Sequence, residues 1–102
     1  MIIITISEYP LEHADLGADL YVKINSENPL PDVYTKRENY IMPKLGTGVL
    51  GIEILECADK DLATLAKAVH KQASMFRKIP GFTYSLNLPL GVEEAMALIG
   101  KG

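Results

Sequence analysis

A single cysteine among 102 residues, Cys57, excludes an intramolecular disulfide and a thiolate metal cluster. Histidine is almost as scarce. His13 and His70 stand far apart and belong to no His-x-x-x-His pattern, so neither a metal nor another cofactor is expected. Long apolar runs are missing too. The stretch Met1-Ile2-Ile3-Ile4-Thr5-Ile6 ends at Ser7 and Glu8, too short for a membrane span and without the basic leader of a signal peptide. A soluble, cytoplasmic chain with no membrane partner is the expectation. Basic residues are outnumbered by acidic ones, 10 to 13, for a formal net charge of −3. A protein that lives on phosphate contacts carries the opposite surplus, so this balance argues against nucleic acid.

What is present suits one folded domain spanning residues 1–102, with 48% hydrophobic and 23% charged residues. The β-branched run 2–7 predicts a strand, stopped by Pro10. Residues 11–19 predict either a turn or two of helix, weakened by Gly17, or a loop. Leu20, Val22 and Ile24 then alternate with Tyr21, Lys23 and Asn25, the period of a half-buried strand. Pro29, Pro31 and Pro43 interrupt residues 26–47, predicting a long irregular loop with room for a helical turn over residues 34–40. Residues 48–57 read as a strand. Asp59 reads as the N-cap of a helix over 60–78, whose stripe is Leu62, Leu65, Ala66, Val69, Ala73 and Phe76. Pro80-Gly81 stops it, 82–88 alternate as another strand, and 91–99 predict a short closing helix with Met96 and Ile99 inward.

This order resembles the ferredoxin-like plait, an α+β fold. It implies an antiparallel four-stranded sheet with helices on one face and the first helix degenerate. The resemblance rests on element order and implies no particular activity.

Few residues carry a chemical signal. Gly46-Thr47-Gly48 precedes a strand rather than a helix, so it reads as a turn and not as a phosphate cradle. Cys57 stands just ahead of a helix, but with no second cysteine or nearby base it reads as a small buried hydrophobe. Lys36, Arg37 and Lys44, interleaved with Tyr34 and Tyr40, form a basic-aromatic cluster diluted by Glu38, which reads as a solvated loop or subunit contact.

Strand parity supplies the remaining hypothesis. With Ile4, Val22, Leu50, Ile52, Ile54, Tyr84 and Leu86 beneath the helices, the other face carries Ile3, Thr5, Tyr21, Lys23, Val49, Glu53, Leu55, Thr83, Ser85 and Asn87. Such a mixed face suits a small-molecule site or a dimer interface. The expectation is a homodimeric binding module of unknown ligand, its helix-free sheet face closed by the partner subunit and holding a small molecule or another protein, with Tyr21, Lys23, Glu53, Ser85 and Asn87 as ligand contacts. Two alternatives stand beside it. One is a cofactor-free enzyme on the same face, with Glu53 or His70 as general base. The other is a structural or regulatory subunit docking through residues 26–47.

Overall fold

The computed structural model describes residues 1–44 and 48–100. Strand β1 (Ile2–Tyr9) runs two residues past the predicted end and stops at Pro10. A 3-10 turn, Leu11–His13, leads into helix α1 (Ala14–Glu27). This is the first correction, because α1 is a full 14-residue helix and not a degenerate one. It absorbs the predicted strand 20–25. The alternating segment contains a second periodicity: Gly17, Leu20 and Ile24 are spaced three and four apart and are the buried residues of the helix. Val22 would share a strand face with Leu20 and Ile24, but it is 68% exposed.

The second correction concerns residues 26–47. Strand β2 (Tyr34–Lys44) takes 11 of them and pairs antiparallel with β3 (Gly48–Cys57). Only 28–33 stay irregular between α1 and β2, with Leu30 buried between Pro29 and Pro31. Pro43 fits within β2 because β2 is an edge strand, where a missing backbone donor is tolerated. The predicted turn at Gly46-Thr47 falls outside the described residues.

The second half matches the pattern of the sequence more closely. A 3-10 turn, Asp59–Asp61, opens helix α2 (Leu62–Met75), and another, Phe76–Lys78, closes it. Asp59 is not the N-cap: Ala58 precedes the turn and Asp61 precedes α2, neither with a side-chain capping bond, and the turn is held by the Asp61 amide donating to the Ala58 carbonyl at 2.9 Å. Gly81, at φ +81°, turns the chain into β4 (Thr83–Asn87). Helix α3 (Val92–Leu98) follows, with Met96 and, just beyond it, Ile99 exposed rather than inward.

The sheet order is β2-β3-β1-β4, antiparallel throughout, which is the ferredoxin-like plait. Register identifies its two faces. Ile3 opposite Leu55 and Thr5 opposite Glu53 and Leu86 lie on one of them. Ile3 and Leu55 are fully buried in a cluster with Leu30, Cys57, Leu65 and Val69, so this face lies beneath the helices. A second cluster joins Leu20 and Ile24 of α1 to Ile79, with Tyr9, Met75, Phe76 and Phe82 packed around it.

The third correction is therefore one of parity. In β1 and β3 the odd-numbered side chains lie under the helices, and Ile4, Leu50, Ile52 and Ile54 lie on the helix-free face. In β4 the predicted parity holds: Leu86 packs on the core, with Ser85 and Asn87 on the other face.

A cleft between the first helix and the sheet

Inversion of parity moves the polar positions of β1 and β3 inside the sandwich. Thr5, Ser7, Gly51 and Glu53 line a cleft of about 570 Å³ between α1, α2 and the sheet. Small residues leave it open. Gly51 supplies no side chain to the floor, and Gly17 and Ala18 add little bulk from α1. Tyr9, Phe76 and Phe82 form an aromatic end; Phe82 lies 6.3 Å from Tyr9 and 5.7 Å from Phe76, centroid to centroid. Burial pushes the Tyr9 phenol above its ordinary pKa.

The opposite end is polar, and a register shift in β2 builds it. Tyr34 pairs with Cys57 and Lys36 with Glu56, so Thr35 is an extra residue in the ladder. Beyond it Arg37 pairs with Leu55 and so joins the helix-covered face. Its Nη2 lies 2.9 Å from Glu53 Oε2, and its Nε donates to the same oxygen at 3.1 Å. Nη2 also donates to Asn25 Oδ1 of α1 at 2.9 Å. Asn39, its amide nitrogen facing Glu53, donates to Oε2 at 2.9 Å and accepts from Arg37 Nε at 3.2 Å. Burial opposes the Arg37 charge, but the Glu53 carboxylate together with Tyr34 and Tyr21 outweighs it, so the guanidinium is held above its ordinary pKa. The two side chains are 21% and 16% exposed.

Thr5 stands beside this pair. Its residue is 9% exposed, and its hydroxyl is the buried side-chain polar atom without a hydrogen-bond partner among the described residues. A buried hydroxyl left unsatisfied is unfavourable, and such groups are rare in folded proteins.

The five residues expected to share a helix-free face are dispersed. Tyr21 and Lys23 belong to α1, and only Tyr21 lines the cleft. Glu53 lies on the helix-covered face; Ser85 and Asn87 lie on the other, where Asn87 Nδ2 bonds the Ser85 hydroxyl at 3.1 Å. His70 is exposed on α2, its Nδ1 2.8 Å from the Tyr84 hydroxyl, outside the cleft. The basic-aromatic cluster also divides. Lys36 bonds Glu38 at 2.9 Å, Tyr40 donates to Glu38 at 2.5 Å, and Arg37 turns to the other side. Thr5, Asn25, Arg37 and Asn39 were not among the predicted ligand contacts. An extra residue in β2 has no signature in the sequence, and without it Arg37 would not pair as it does.

Among the described residues no cluster of three or more His, Cys, Asp or Glu forms, and no helix is long and apolar enough to cross a membrane. No family model and no curated protein matches this chain. Among solved structures, a formyltetrahydrofolate deformylase from Pseudomonas putida KT2440 is similar at 16% identity and a TM-score of 0.40. The match covers 86% of this chain but 28% of that one, so the chain spans less than a third of its length.

Proposed function

We propose that this chain is a small-molecule binding module whose ligand lies in the cleft between α1 and the sheet. The observation that carries this reading is the lining: a mostly apolar space of about 570 Å³ meeting a fixed Arg37–Glu53 pair and a partnerless Thr5 hydroxyl. Small-molecule sites have this size and this mixture of apolar wall and a few convergent polar groups. A thermal-shift screen of metabolites tests it. A compound that binds only the folded state raises the melting midpoint, and it should fail to do so with Ala18→Trp, which sets an indole into the cleft from an exposed lining position on α1. An equal rise in both proteins would place the ligand elsewhere.

Homodimerisation through the helix-free face belongs to the same proposal. Ile2, Ile6, Tyr40 and Met42 are exposed on that face, beside the half-buried Ile4, Leu50, Ile52 and Ile54. A patch of this kind is unfavourable in water, and closed two-fold dimers are the commonest way to cover one. Analytical ultracentrifugation decides it, since a monomer at high concentration contradicts the dimer. An enzymatic reading would use Glu53 as the base. Turnover lost in Glu53→Gln while ligand still binds would favour that reading over simple binding.

A further inference from the structure

Resting on that reading, we infer that the cleft selects an uncharged, ring-sized, largely apolar molecule carrying a hydroxyl or carbonyl, and discriminates against both anions and cations. Charge is the first argument. Among the described residues, Arg37 and Glu53 are the ionised ones lining the cleft, and they are 2.9 Å apart. Their charges cancel. Arg37 Nε and Nη2 and Glu53 Oε2 are spent on one another and on Asn25, so an anion or a cation binding at those atoms would have to break bonds already made. Either ion would also leave water for a mostly apolar space, a transfer that is unfavourable without a dedicated counter-charge.

Hydrogen bonding is the second argument. Arg37 Nε and Nη2 and the near oxygen of Glu53 are engaged with one another and with Asn25 and Asn39. The Thr5 hydroxyl is not engaged, and it can both donate and accept. Turned by a side-chain rotation toward the cleft that Thr5 lines, it suits a neutral polar group. Shape is the third. Thr5, Ser7 and Tyr9 alternate along one face of β1, so the polar end lies roughly 13 Å from the aromatic end at about 3.3 Å per residue. Gly51, opposite Ser7 in the ladder, leaves the middle of the floor clear. A fused-ring or similarly elongated molecule spans that distance with its polar atom at Thr5.

Three matched probes test the selection: 2-naphthol, 2-naphthoate and naphthalen-2-ylmethylammonium, titrated at pH 7 into the full chain. The neutral probe should bind at least about tenfold more tightly than either ion. Thr5→Val should lose about tenfold in 2-naphthol affinity, one hydrogen bond's worth, while Thr5→Ser retains it. Circular dichroism establishes that each variant is folded. Equal or tighter binding of either ion that Ala18→Trp abolishes overturns the selectivity and leaves the cleft as the site. Binding of 2-naphthol that survives Ala18→Trp unchanged removes the cleft itself. Failure of all three probes to bind at millimolar concentration also overturns the inference, because a space so shaped has to accept a bicyclic ring.

Discussion

Arg37 and Glu53 come from neighbouring strands and meet at 2.9 Å on the sheet face beneath α1, with Asn25 of α1 bonded to the same guanidinium nitrogen. The pair ties helix, edge strand and central strand together at one point. Glu53→Gln would leave a mostly buried guanidinium with a weaker partner. The expected cost is about 1–3 kcal/mol in urea denaturation, the range for hydrogen bonds to charged groups. Replacing both residues by Met should recover most of the loss, because the desolvation penalty disappears with the charges. A double variant weaker than Glu53→Gln would show that the pair stabilises the fold beyond its own desolvation.

Thr5→Val should separate stability from binding. The hydroxyl is buried and partnerless, so removing it is expected to stabilise the free protein by about 1 kcal/mol. Loss of stability in the melting curve would mean that the hydroxyl is already satisfied.

Gly17 allows Tyr9 to lie against α1. A Cβ at position 17 would touch the Tyr9 hydroxyl and come within 2.6 Å of its Cζ. Alanine gains about 1 kcal/mol in helix propensity, and the displaced ring loses contact with the cluster around Phe82. These effects nearly cancel, so Gly17→Ala should melt within a few degrees of the native chain. Ligand affinity should nevertheless fall, because the displaced ring intrudes on the aromatic end of the cleft. Unchanged affinity would show that the ring swings outward.

Ile6 and Ile52 face each other across β1 and β3 on the helix-free side. Ile6→Lys places a charge at the centre of that face without touching the core. Sedimentation should show a dimer for the native chain and a folded monomer for the variant. A dimer that survives the substitution would place the interface elsewhere.

From α2 to β4 the chain is legible in the sequence because each segment has one dominant period, whereas the inward positions expected of α3, Met96 and Ile99, are exposed. Leu65, Val69 and Ala73 are buried as α2 requires, and Leu86 packs on the core as β4 requires. The first half has competing periods. Leu20 and Ile24 satisfy a strand and a helix alike, and the packing that joins them as helix residues is to Ile79, far along the chain. Parity in β1 was hidden by the run Ile2-Ile3-Ile4, apolar on both faces. In β3 it was misleading, since Leu50, Ile52 and Ile54 form the greasier row and yet lie away from the helices. The helices instead cover the row that contains Glu53, and the partner that makes this tolerable is Arg37 on β2. β2 itself went unrecognised because Pro43 argues against a central strand, whereas an edge strand accepts it.

The central claim is that ligand enters the cleft rather than resting on the exposed apolar face. Intermolecular nuclear Overhauser effects between 2-naphthol ring protons and side-chain methyl groups test it most directly. Cross-peaks to Thr5, Ala18, Val69 and Ala73 are the expected result. Cross-peaks confined to Ile4, Ile6 and Ile54 would contradict it.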